Sequence, residues 1–162
     1  MSTRRAEIVD GVLTPRSPSW AHESAAEVIR RQLTPRLEEL ALVSGSGNLD
    51  LPGSENRYVP DLAVVPADPA AKTEGALIPD QTLLVMEVSS PSNAETDRPV
   101  KRRRYGQYGA PLYLLVDRQA RTCTLFSEPG RLGYAVEDGP HPFGTAVRLP
   151  EPFGLDLDTS RL

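Results

Sequence analysis

The feature that most limits the fold of this chain is a pair of continuous apolar runs on either side of one charged segment. The first run is Thr82-Leu83-Leu84-Val85-Met86-Glu87-Val88 and the second is Pro111-Leu112-Tyr113-Leu114-Leu115-Val116-Asp117. A strand with one wet face alternates apolar and polar residues, whereas an unbroken apolar run marks a strand covered on both faces. Between the runs, Glu95 to Tyr108 reads as a helix that stops at Gly109. Buried strand, helix, buried strand in succession favour a parallel crossover. The chain is therefore expected to be α/β.

The remaining segments surround that unit. Ile8-Val9-Asp10-Gly11-Val12-Leu13 reads as a tight hairpin, because Gly accepts positive φ. Pro15 and Pro18 break the pattern, and Ser19 is a candidate N-cap for a helix from Trp20 to about Leu33. Its apolar positions, Trp20 among them as a core anchor, approximate helical spacing. Pro35 to Val43 fits helix and strand equally. Ser44 to Gly53 is loop-forming. Arg57 to Val65 reads as a strand stopped by Pro66, with Pro60 marking an edge, a bulge or the strand's first residues. Pro66 to Gln81 reads as a polar loop. Thr122 to Ser127, Gly133 to Glu137 and Thr145 to Leu149 complete the strands. These additions read antiparallel, so the sheet is mixed. With no repeat and no dividing linker, residues 1–162 form a single domain, as the 162-residue length implies.

Composition removes several function classes. One cysteine, Cys123, excludes an intramolecular disulfide and a Cys-built metal site. Its place in an alternating strand makes it a small core residue. No window approaches the length of apolar sequence that spans a bilayer, and no signal-peptide stretch follows the first residues. We expect a cytoplasmic protein without membrane contact. The net charge of −4 excludes a bulk polyanion binder, so nucleic acid would be met through a local basic patch. Gly45-Ser46-Gly47 lacks a P-loop lysine. His22 and His141 lie far apart, although His22 near a sheet end could reach substrate. Glu23 and Glu27 read as a solvated helix face.

Three polar positions stand where a core would not accept them without reason. Asp61 heads one strand, and Glu87 stands near the tail of the next. If the two strands pair antiparallel, both carboxylates meet at one end of the sheet. Unpaired carboxylates there are expensive to desolvate, and a divalent cation is the natural compensation; hard oxygen ligands favour Mg²⁺ or Mn²⁺. The plainer alternative is that both acids cap strand ends in solvent. Lys101 is the third position. On a helix, Lys101, Tyr105 and Tyr108 share a face, and the two tyrosines turn that face inward. Lysine supplies only 2 of 18 cationic residues, so its use here stands out against arginine. The alternative is a solvated run, Lys101 to Arg104.

Together these segments resemble a known family. Pro60 to Val65, Val85 to Ser92, Asp97-Arg98-Pro99-Val100-Lys101, Tyr105 and Gly109 to Asp117 resemble the Uma2 family, also called DUF820. That family consists of restriction endonuclease-like proteins of the PD-(D/E)XK nuclease superfamily. Glu7 to Gly11 and Phe153 to Leu157 are similar to its two ends, so the resemblance spans nearly the whole chain. The chain starts close to the first of these motifs, which leads us to expect that an N-terminal helix of relatives is missing. The resemblance implies a restriction endonuclease-like mixed β-sheet flanked by helices. It implies a metal-dependent endonuclease that hydrolyses phosphodiester bonds in DNA, with Asp61, Glu87 and Lys101 as catalytic residues. Mg²⁺ or Mn²⁺ would be held by Asp61, Glu87 and the Val88 carbonyl, with Glu7 as a further ligand. The superfamily's lysine slot, two residues after the acid, holds Ser89, and Lys101 on the following helix takes its part. Arg98, Arg102, Arg103 and Arg104 would track the phosphate backbone, with Ser89, His22 and Tyr105 as accessory residues. The class also implies a homodimer. One rival is a catalytically inactive nucleic-acid-binding or regulatory module on the same fold. Another is a small interaction protein with no nucleic-acid role.

Overall fold

The Asp10-Gly11 pair closes a hairpin between β1 (Ala6–Val9) and β2 (Val12–Pro15). Both turn residues have positive φ, 49° and 78°, as a turn matched to strand twist requires. The structure, a computed structural model, describes residues 6–89 and 94–162, and for 94–98 the backbone alone.

Helix α1 (Trp20–Glu39) begins where Ser19 accepts a hydrogen bond from the His22 N–H at 3.2 Å. It continues past Leu33 and through Pro35, which removes one helical hydrogen bond. Two tertiary anchors offset that loss. Leu37 is buried one turn beyond Leu33, and Arg36 donates to the carbonyls of Phe153 and Pro152 at 3.0 and 3.1 Å. Trp20 is not a core anchor: it is 90% exposed. At about 100° per residue it lies on the opposite side of α1 from Ile29, and Ile29 faces the sheet.

Short strands β3 (Leu42–Gly45) and β4 (Leu49–Leu51) follow, so the ambiguous Pro35–Val43 segment is helix and then strand. The segment expected as one strand from Arg57 is two, β5 (Asn56–Tyr58) and β6 (Leu62–Pro66), broken at Pro60. The chain then runs through α2 (Ala67–Lys72), a 3-10 turn at Pro79–Gln81, β7 (Leu84–Val88), α3 (Ala94–Gln107), β8 (Leu112–Asp117), β9 (Thr122–Gly130), β10 (Gly133–Pro142), β11 (Val147–Leu149) and β12 (Leu155–Leu157). The elements that sequence periodicity misses, β4, α2 and β12, span only three to six residues. They are too short to carry a period, and pairing or packing makes them.

Among the described residues, the main sheet has the order β10-β9-β8-β7-β6-β3 and a smaller one the order β2-β1-β5-β4. β7 and β8 pair parallel around α3, as the two apolar runs predict, and the other ladders are antiparallel. Period-two alternation assigns the faces. Leu84, Met86, Val88, Leu112, Leu114 and Val116 pack against Ala25, Ala26, Ile29, Leu33 and Leu37 of α1. Ala63, Val85 and Tyr113 point the other way and pack with Tyr58, Tyr105 and Phe126. Each large apolar side chain so buried contributes about 1.5–3 kcal/mol. Cys123 lies buried in the first cluster, and burial pushes its thiol up to about 12.

Candidate active site

The same alternation that places Val85 and Ala63 on the α3 face also carries Glu87 and Asp61 there. β6 and β7 pair antiparallel with Leu62 opposite Met86. One step further along that register sets Asp61 against Glu87. Asp61 Oδ2 accepts a hydrogen bond from the Val88 N–H at 2.7 Å, which ties the acid to the partner strand. Asp61 Oδ1 accepts from His22 Nε2 at 2.7 Å and from Arg16 Nη2 at 2.8 Å. His22 reaches it from the first turn of α1, so the Ser19 cap also positions this contact.

Pro60 explains how the two sheets meet here. β5 and β6 belong to different sheets, so Val59 between them has no ladder partner. Buried backbone groups need partners. The Val59 N–H donates to Glu7 Oε1 at 2.9 Å, and its carbonyl accepts from Arg16 Nη1. Glu7 is thus drawn from β1 into the cluster.

Lys101 enters from α3 and is only 6% exposed. Its Nζ lies 3.0 and 2.9 Å from the two Glu7 oxygens, 3.8 Å from Glu87 Oε1 and 5.1 Å from the centre of the Tyr58 ring. One turn on, the Tyr105 hydroxyl donates to Glu87 Oε1 at 2.9 Å. Arg16 Nη1 stands 3.5 Å from Glu7 Oε1 and 3.8 Å from Glu87 Oε2. The site is a buried web of three acids, Lys101, Arg16, His22 and Tyr105.

The environment drives the two sheet acids apart. Burial pushes the Glu87 carboxyl up to about 8; Asp61 and Glu7 add to this, and Lys101 and Arg16 oppose it. Burial also acts to raise Asp61, but the His22 hydrogen bond and the Arg16 charge outweigh it and hold Asp61 below the ordinary range. Burial, then the Glu87 charge, raise Tyr105 well above its usual value, so it stays a donor. Two carboxyls with opposed shifts are a recurrent arrangement where acid and base roles are divided.

The other sequence-predicted residues fall elsewhere. The Ser89 hydroxyl donates to Asp117 Oδ1 at 3.3 Å and accepts from the Arg118 N–H, at the end of β8. Arg102 lies over the Phe126 ring at 4.9 Å. Arg104 donates to Asn56, Tyr58 and Asp10 at 3.0, 2.7 and 2.8 Å. Arg103 is exposed, and Arg102 and Arg104 are half-buried. The Arg98 side chain lies outside the described residues. His141 pairs with Asp138, and Glu27 with Arg30 and Arg31. Arg16 was not foreseen. Arginine is the chain's default cation, and nothing in Pro15-Arg16-Ser17-Pro18 distinguishes this one.

The donor chemistry fits a hard divalent cation. Asp61 and Glu87 meet from adjoining strands, and Oε2 of the buried Glu87 accepts no hydrogen bond among the described residues. No three His, Cys, Asp or Glu side chains are grouped tightly enough to share an ion among the described residues. Glu7 is turned to Lys101 and Val59 instead.

The class is thus an α/β protein, a mixed sheet flanked by helices, with two acids and a lysine brought to one sheet end. The Uma2 family profile, described as “Putative restriction endonuclease”, matches residues 2–160, and the chain belongs to that family. The fold is also that of a crystal structure described as a putative nuclease belonging to DUF820 from Anabaena variabilis. The two superpose with a TM-score of 0.76 at 14% identity, covering 99% of this chain and 90% of that one. No curated protein matches the chain.

Proposed function

We propose that this protein is a cytoplasmic, metal-dependent endonuclease that hydrolyses phosphodiester bonds in DNA. The observation that carries the reading is the convergence of Asp61, Glu87 and Lys101 at one end of the sheet, in a chain of the Uma2 family. Asp61, Glu87 and the Val88 carbonyl would hold Mg²⁺ or Mn²⁺, which when bound polarises the phosphate and makes water acidic enough to attack. His22 and the Val88 N–H keep Asp61 ionised and fixed in direction. Tyr105 fixes Glu87. Lys101, 3.8 Å from Glu87, orients the attacking water and offsets charge gathering on the phosphate. Glu7 acts on Lys101 as a positioning residue. Arg103 offers an exposed cation to the backbone, with Arg98, Arg102 and Arg104 beside it in sequence. A homodimer would present two such sites to two strands.

The test is cleavage of plasmid, linear duplex and RNA with Mg²⁺ or Mn²⁺. Lys101→Met removes one partner of a buried pair and costs about 3–5 kcal/mol of stability. The pair Lys101→Met/Glu7→Gln removes both charges and regains most of that. We expect the double variant to stay folded by circular dichroism and to cleave about 10²–10³-fold more slowly. Wild-type rates in that variant would overturn the role of Lys101. Salt-dependent DNA binding without cleavage by the wild type would favour the inactive binding module.

A further inference from the structure

We propose that Arg16 is a built-in counter-ion that competes with a divalent cation for Asp61 and Glu87, so that the cation enters only as the guanidinium leaves. The inference rests on the reading of these acids as a metal site. Three observations carry it. First, the guanidinium spans the acids: Nη2 is 2.8 Å from Asp61 Oδ1, and Nη1 is 3.5 Å from Glu7 Oε1 and 3.8 Å from Glu87 Oε2. It occupies the ground between the carboxylates that a cation would need. Mg²⁺ holds its oxygens at about 2.0–2.1 Å, and Asp61 Oδ1 already accepts two hydrogen bonds, at 2.7 and 2.8 Å.

Second, charge favours exchange over addition. A cation binds the ionised form of Glu87 and displaces its proton; among the described residues, Glu7, Asp61 and Glu87 against Lys101 and Arg16 then leave one formal negative charge. A divalent ion added beside Arg16 would leave one positive charge in a buried site. The same ion in place of Arg16 leaves none. Uncompensated buried charge is costly, so exchange is favoured over addition.

Third, Arg16 stands outside the regular elements. It lies between β2 and α1 in a segment without regular structure, followed by exposed Ser17, Pro18 and Ser19. Lys101, by contrast, is anchored in the middle of α3.

The experiment is calorimetric titration of Mn²⁺ and Mg²⁺ into the wild type, Arg16→Met and Arg16→Met/Asp61→Asn, with melting in chelator and in Mn²⁺. We expect Arg16→Met to bind at least tenfold more tightly than the wild type and the double variant to lose that binding. Arg16→Met should melt lower in chelator and gain more from Mn²⁺, because a ligand that binds only the native state stabilises it in proportion to its affinity. Equal or weaker binding by Arg16→Met overturns the competition but leaves the metal reading standing. No binding by either protein overturns both. Tighter binding that survives Asp61→Asn puts the ion elsewhere and also overturns the proposal. Should Arg16→Met fail to fold, Arg16→Gln, which keeps a neutral donor for Asp61, takes its place in the same titration: equal or weaker binding by folded Arg16→Gln overturns the proposal.

Discussion

At the scale of residues, the cluster is a case of one burial with two outcomes. Asp61 and Glu87 are neighbours, yet Asp61 has three donors on its oxygens and Glu87 has the Tyr105 hydroxyl. The carboxyl richer in donors stays ionised, and the poorer one holds its proton up to about pH 8. The effects on stability have opposite signs. Asp61, lowered in the fold, contributes stability present above its unfolded pKa and lost as pH falls through the folded value. Glu87, raised in the fold, contributes stability present below its unfolded pKa and lost as pH rises through about 8. In chelator, Glu87→Gln should therefore melt with the wild type near pH 5 and above it at pH 8.5, since Gln mimics the protonated acid. Parallel melting curves across that range would show that Glu87 is ionised throughout.

At the scale of elements, the position of Lys101 depends on how closely α3 approaches the sheet. Gly106, one turn beyond Arg102, packs on Gly133 of β10, where a Cβ would come within 2.6 Å of the Gly133 carbonyl carbon. Ala in place of Gly favours a helix interior by about 1 kcal/mol. A backbone clash of that size outweighs the gain, because neither side can rotate away, and overpacking costs about 1–3 kcal/mol. Gly106→Ala should lower stability in denaturant titration and slow cleavage, because α3 must withdraw with Lys101 on it. An unchanged midpoint would mean that the helix and β10 separate at little cost. The Tyr58, Tyr105 and Tyr113 rings, with centroids 5.5 Å apart in succession, form the packed floor between α3 and the sheet. They explain why a helix carrying Lys101-Arg102-Arg103-Arg104 still buries one side.

At the scale of the whole molecule, the net charge of −4 and the inward use of Lys101 and Arg104 leave Arg103 as the exposed cation of the Lys101–Arg104 run. DNA binding by this protein should be weak and lost with modest added salt, in keeping with few phosphate contacts. The proposed homodimer belongs to this scale too. Sedimentation at micromolar concentration should give twice the 17.7 kDa chain mass, and a monomer under those conditions removes the dimer. No described helix is long and apolar enough to cross a membrane.

What the sequence determined by itself is whatever depends on local periodicity. The continuous apolar runs marked β7 and β8, and the helical segment between them favoured a parallel crossover through α3. Asp10-Gly11 and Ser19 set a turn and a helix start through their own backbone and side-chain preferences. Tyr105 and Lys101 share a helical face by their spacing alone. Tertiary structure decided the rest. It carried α1 through Pro35, left Trp20 in solvent, split the strand at Pro60 and turned Ser89 toward Asp117. It also brought Arg16 across from the hairpin to stand among three acids. These outcomes depend on groups far apart in the chain competing for the same buried partners. Periodicity reports which way a side chain points, and only the packed molecule decides what it meets there.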